Sequence, residues 1–175
     1  MKLHLLTACT RPENIARLGE SIDAARRPGA DIIWHLKQDG ERKHVGGQAI
    51  KNALIERVAD GWLTFLDDDN LLHPALVERL LMVTAEHSAA GLIVVGQGLP
   101  GGHYRAAREG CLALNRIDAA QLVIRRDALG AMRLPETYAG DGLLAEMLQA
   151  ALPAESIVYL DESLCYYNRL TWGDL

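Results

Sequence analysis

The stretch WLTFLDDDNLLHP, residues 62–74, decides how this chain is read. An apolar run from Trp62 to Leu66 has the length and composition of a buried strand. It ends on three consecutive carboxylates, Asp67, Asp68 and Asp69, and Pro74 then opens what reads as a new helix. Adjacent like charges repel, so a triplet kept at one place implies a counter-charge gathered around it. In an open α/β sheet, ligands collect beyond the carboxyl ends of the strands, which is where these residues fall. Hard carboxylate oxygens there suit Mg²⁺ or Mn²⁺, above all when phosphate oxygens complete the octahedron. The competing reading is a solvated turn in which one Asp caps the following helix. An uninterrupted triplet directly after a buried strand favours the metal.

Working outward, strands alternate with helices. Residues 2–8 are an apolar strand. Thr10, Pro12 and Glu13 then suggest an N-cap, an early helical proline and a T-x-x-E capping box for a helix running to about Arg26. A second strand, DIIWHLK, ends at the turn signal QDG, and a helix from about Gly47 to Ala59 leads into the strand at residue 62. Downstream, PALVERLLMVTAEH is helical and GLIVVG is a strand. GQGLPGGHYRAAREG (96–110) reads as a mobile glycine-rich loop carrying Arg105 and Arg108. CLALN and AQLVIRR read as strands, DGLLAEMLQAAL as an amphipathic helix, and SIVYL and LCYYN as two short closing strands. The βαβ order predicts an α/β fold with a mostly parallel sheet flanked by helices on both faces.

The 175 residues suit a single compact domain. A net charge of −5 argues against a nucleic-acid binder, which would show a basic face. No apolar stretch is long enough to span a bilayer. Cys9, Cys111 and Cys165 are odd in number and widely spaced, indicating neither a disulfide framework nor a zinc site, so a cytoplasmic setting is expected.

FLDDDNLLHP, preceded by NALIERVADG, resembles the DXD region of GT-A glycosyltransferases, closest to the family 2 enzymes and the glucuronyltransferases. LLTACTRPENIARLGESI resembles the opening strand and helix of that fold, IIWHLKQDG its second strand, and VIRRDALGAMRLPETYAGDGLLAEML its acceptor-side segment. The pieces occur in the family's order over roughly residues 2–150. The resemblance implies a GT-A-like (Rossmann-like) domain over residues 1–175, with a nucleotide-binding half at 1–95 and an acceptor-side half at 96–175. It implies a metal-dependent, inverting glycosyltransferase. The donor would be a nucleotide-sugar, by resemblance a UDP-sugar, and the acceptor a hydroxyl on a glycan, lipid or protein. The chain ends sooner than most members, which leaves part of the acceptor platform missing or supplied by another chain, a homo-oligomer being one arrangement.

Carried over residue by residue, the resemblance puts Thr7 and Arg11 where the first strand meets the nucleotide and Asp39 at the base or ribose. Arg42 and Lys43 fall in a stretch that supplies a cation to the nucleotide. Asp68 would touch the ribose or donor sugar, and Asp69 would bind the metal, with Asp67 supporting them. Asp141 would be the base that takes the acceptor's proton, with Glu136 in reserve. Family 2 enzymes show Glu-Asp at this point, whereas Gly140 precedes Asp141 here. Arg105, Arg108 and Arg169 are candidate diphosphate or acceptor contacts, Arg169 beside Tyr166, Tyr167 and Asn168. The late histidine that many GT-A enzymes add to the metal is absent, since all six histidines lie at or before His103. Each residue also has a plain reading: a strand-end hydroxyl for Thr7, a turn former for Asp39, solvated cations for Arg11, Arg42 and Lys43, and an N-cap for Asp141. A catalytically silent nucleotide-sugar-binding module is the first alternative function. A haloacid-dehalogenase-type phosphatase is a weaker one, because its D-x-D motif follows the first core strand.

Overall fold

The computed structural model describes residues 1–39 and 45–172; Arg42 and Lys43 lie outside the described residues. Eight strands form one sheet: β1 (Lys2–Cys9), β2 (Asp31–Gln38), β3 (Trp62–Phe65), β4 (Leu71–Leu72), β5 (Leu92–Gly98), β6 (Tyr104–Arg105), β7 (Leu122–Arg125) and β8 (Ile157–Tyr166). The helices are α1 (Ile15–Ala25), α2 (Gln48–Ile55), α3 (Leu76–Glu86), α4 (Arg126–Leu129), α5 (Gly140–Ala151) and α6 (Arg169–Trp172). The strand order is β2-β1-β3-β7-β5-β8-β4, with β6 paired to β5.

Period-two burial divides the core. In β1, Leu3 and Leu5 face one side with Leu18 and Ile22 of α1 and Leu76, Val77 and Leu80 of α3. Leu6 and Ala8 face the other with Ile50 and Leu54 of α2 and Leu144 and Leu148 of α5. Strand β5 does the same, Ile93 and Val95 to the first side and Leu92 and Val94 to the second. Strands buried on both faces are therefore almost continuously apolar, with helices on each side.

The sheet is mixed. β1 runs parallel to β2 and β3, and β5 parallel to β8, whereas β7 lies antiparallel between β3 and β5. Because β7 runs backwards, its first residues lie beside the carboxyl end of β3: Thr64 pairs with Val123 and Trp62 with Arg125. The segment just before β7 is thereby delivered to the three carboxylates.

Several local expectations change. The T-x-x-E capping box does not form: a 3-10 turn at Pro12–Asn14 precedes α1, with no side-chain cap bond from Arg11 or Asn14. CLALN is not a strand, although Cys111 and Leu112 are buried. The two closing strands are one, β8. The glycine-rich segment folds back as a β5–β6 hairpin, Gln97 opposite Arg105, instead of forming an open loop.

Candidate active site

Beyond the carboxyl ends of β1 and β3 lies a cleft of about 510 Å³, lined by residues that include Arg11, Lys51, Asp67, Asp68, Asp69, Asp118 and Asp141. Within the triplet, Asp67 pairs with Lys51, while Asp68 and Asp69 share Arg11.

Asp68 is buried, 2% exposed. Its Oδ2 accepts the backbone N–H groups of Thr10 and Arg11, at 2.5 and 2.6 Å, and the Thr10 hydroxyl at 3.1 Å; its Oδ1 accepts the Arg11 guanidinium at 2.6 Å. The turn that enters α1 is thus capped by a carboxylate from a distant strand, and Thr10 serves Asp68 instead of its own helix.

Asp69, 7% exposed, sets Oδ2 3.0 Å from the Arg11 guanidinium. Burial, then the charge of Asp67, raises its carboxyl to about 6 against the pull of Arg11. The chain's last described segment closes over it: the Leu170 N–H donates to the Asp69 carbonyl at 3.0 Å, and the Asn168 N–H to Asn70 Oδ1 at 2.9 Å.

Asp67 Oδ1 meets the Lys51 ammonium at 2.6 Å. Lys51 projects from α2 and is fully buried, 1% exposed. Burial alone would lower its pKa, but Asp67, Asp141 and Asp118 together overrule that and raise it. Gly47 lets α2 start this close to β1, since its φ is +70° and a Cβ there would come within 2.6 Å of the Ala8 Cβ.

Asp118 caps the turn before β7. Its Oδ1 accepts the Ala120 N–H at 2.9 Å and the Gln97 side-chain amide at 3.1 Å. Burial and Asp67 push its carboxyl up. Asp141, in the first turn of α5, accepts the Ala119 N–H through Oδ2 at 3.2 Å, and its buried Oδ1 has no hydrogen-bond partner among the described residues. Burial raises this carboxyl to about 6 even with Lys51 nearby. A Cβ at Gly140 would stand 2.4 Å from the Pro135 carbonyl, so this close approach requires glycine there. Tyr138, 91% exposed, stands at the rim.

The structure therefore brings Arg11, Asp67, Asp68, Asp69 and Asp141 together. It does not bring Thr7 or Asp39 to the cleft lining: the Thr7 hydroxyl is buried and accepts from the Trp34 indole at 2.9 Å, and Asp39 is buried with its N–H bonded to the Cys9 carbonyl. Arg105 lies over the Tyr167 ring, 5.5 Å from its centroid, and Arg169 over Tyr166 at 5.7 Å. Arg108 and Glu136 are exposed outside the lining. None of Asp67, Asp68 and Asp69 caps α3, whose N-cap is Ala75 with no side-chain cap bond; the His73 ring accepts the Ala75 N–H at 3.1 Å just ahead of the helix. Sequence reasoning missed Lys51, Asp118, Gln48 and Tyr138.

For a cation, the donor set decides. Among the described residues no three His, Cys, Asp or Glu side chains are arranged to hold a metal by themselves. Five carboxylates face two cations in the cleft, and the ion pairs among the described residues occupy Oδ1 of Asp67, Oδ1 of Asp68 and Oδ2 of Asp69. A divalent cation there would need phosphate oxygens and water to complete its shell.

No protein-family model matches this chain, and no curated protein matches it. Among solved structures, S. aureus TarS 1–349 superposes with a TM-score of 0.72 at 14% identity, covering 95% of this chain and 60% of that one. Its complex with UDP-GlcNAc gives the same TM-score at 16% identity, over 95% of this chain and 58% of that one. A197 from STIV gives 0.56 at 15% identity, over 93% of this chain and 82% of that one. The chain thus spans about three-fifths of the length of TarS 1–349, and what it shares with that protein is a glycosyltransferase-like α/β fold.

Proposed function

We propose that this chain is a glycosyltransferase that binds a nucleotide-sugar in the cleft and transfers the sugar, with inversion, to an acceptor hydroxyl on a glycan, lipid or protein. The observation that carries the reading is Asp141. It lies in the same cleft as the Asp67–Asp69 floor, with one oxygen held by a backbone N–H and the other buried without a partner among the described residues. A carboxyl raised to about 6 is ionised near neutral pH, yet basic enough to accept a hydroxyl proton during attack. The Ala119 N–H fixes the side chain, and Lys51 steadies its negative charge. Arg11 lies where it would meet a donor's phosphates.

Asp69, supported by Asp67, is the proposed holder of Mg²⁺ or Mn²⁺. Bound there, the cation would offset the charge of the departing diphosphate. UDP is the first nucleotide to test, because TarS 1–349 was crystallised with UDP and with UDP-GlcNAc. The Arg11–Asp69 ion pair favours one second reading, a nucleotide-sugar-binding module without turnover, since the guanidinium already neutralises the carboxylate.

Asp141→Asn separates the two. It keeps size and capping ability but accepts no proton, so transfer from UDP-GlcNAc, or its hydrolysis, should fall by roughly two to four orders of magnitude while UDP affinity holds. Intact turnover would remove Asp141 from the chemistry. No turnover in the unaltered chain, with UDP still bound, would favour the binding module.

A further inference from the structure

Beside the cleft lies a second groove of about 410 Å³, lined by Tyr104, Arg105, Arg108, Glu109, Cys111 and Arg116 among others. Its three guanidiniums differ from most others in the molecule. Arg11, Arg26, Arg27, Arg79, Arg125 and Arg133 each face a carboxylate. Among the described residues, no carboxylate lies within ion-pair distance of Arg105, Arg108 or Arg116. Arg116 makes one long contact, 3.4 Å to the Gly110 carbonyl. Arg105 donates to Gln97 Oε1 at 2.5 Å. A protein of net charge −5 that sets three arginines together with no ion-pair partner among the described residues, and with Glu109 the one acidic residue in the lining, offers a place for an external anion.

Arg105 also connects the groove to the cleft. Its guanidinium covers Tyr167, a residue of the cleft lining, and Gln97, which it holds, donates onward to Asp118 in the same lining. We infer that this groove binds a phosphate ester on the acceptor, so that the substrate class is a phosphorylated hydroxyl compound. The guanidinium fork fits phosphate oxygens two at a time, which a lone lysine would not do. This inference rests on the transferase reading for the word acceptor, while the anion site itself rests on the groove alone.

The test follows the arginine Nε–Hε signals of the full chain by NMR at constant ionic strength, titrating glucose 6-phosphate against glucose. Saturable shifts at Arg108 and Arg116 with the phosphate, and none with the sugar, are expected. Arg108→Gln and Arg116→Gln should each weaken binding by roughly tenfold, the share of one charge-assisted hydrogen bond. Both side chains are exposed, so the melting temperature should hold. Parallel sedimentation with phosphatidylglycerol and phosphatidylcholine vesicles identifies the source. Glucose 6-phosphate binding without sedimentation supports a soluble or polymeric acceptor. Sedimentation with phosphatidylglycerol alone, lost in the double variant, supports a lipid headgroup. No saturable shift together with no sedimentation, equal shifts with glucose, or undiminished binding in the double variant would overturn the site. UDP binding is measured separately with Mg²⁺; its failure would defeat the transferase reading and leave the groove standing.

Discussion

Two cations, Lys51 and Arg11, answer the charge problem posed by the acidic triplet. Lys51 sits 2.6 Å from Asp67 with 1% of its surface exposed, while the Asp67 side chain stays a third exposed, so it is the ammonium that is cut off from bulk water. Removing Asp67 strands the buried ammonium. Asp67→Asn should therefore cost about 3–5 kcal/mol in urea unfolding, and adding Lys51→Met should recover part of the loss. A cost under about 1 kcal/mol would show a pair screened as at the surface. Asp69 carries a different signature. Its carboxyl rises from 3.8 to about 6 on folding, so between those values the folded chain keeps a proton that the unfolded chain has lost. Stability from this group is then lost as pH rises through the window. Asp69→Asn removes the titration, so relative to the unaltered protein it should gain about 2–3 kcal/mol between pH 4 and pH 7. A gap that is flat with pH would contradict the buried, crowded carboxylate. The acidic triplet was plain in the sequence because strand and carboxylates are contiguous. Lys51 was not, because a lysine inside a helical pattern reads as a solvated cation and only packing against β1 buries it. Asp118 was hidden likewise, its approach depending on the direction of β7.

At the scale of elements, local pattern identified most strands and failed where tertiary pairing overrode it. The acidic residues Asp161 and Glu162 look like a break between two strands, yet β8 runs through them, paired with β5 across register shifts at Val95/Gly96 and Gly96/Gln97. CLALN carries strand-like apolar residues that are buried without joining a ladder. The glycines of residues 96–110 suggested a mobile loop, but the hairpin is fastened at both ends. The Leu99 N–H bonds the His103 carbonyl at 2.8 Å, and the Tyr104 hydroxyl donates to Asp161 Oδ1 at 2.7 Å, an oxygen that also accepts the Ala107 N–H. Amides from Gln97 to Arg105 should accordingly resist hydrogen exchange without any ligand. Tyr104→Phe should cost about 1 kcal/mol and speed exchange in that hairpin alone. Fast exchange across the segment in the free, unaltered protein would restore the mobile loop.

For the whole molecule, strand direction is what makes a site from dispersed residues. β1 and β3 end at one edge, antiparallel β7 begins there, and the chain's last described turn packs on Asp69 and Asn70, so residues from 8 to 168 line one cleft. The sequence order announced an α/β sheet with helices on both faces but not this mixture of directions, because a strand's polarity relative to its neighbours leaves no mark in its composition. Five carboxylates around two cations would repel a diphosphate unless further positive charge arrived with it. UDP alone should therefore bind weakly, and UDP with Mg²⁺ or Mn²⁺ well. At a hundredfold excess over Kd, binding to the folded form adds about 2.7 kcal/mol, which for a chain of this size raises Tm by roughly 5–10 °C. EDTA should abolish the rise. Asp69→Asn should abolish it as well, because one less carboxylate leaves the cation without its protein ligand, whereas Asp141→Asn should keep it. Equal stabilisation by UDP in chelator would mean that Arg11 alone receives the phosphates, and the cation would then have no place at Asp69.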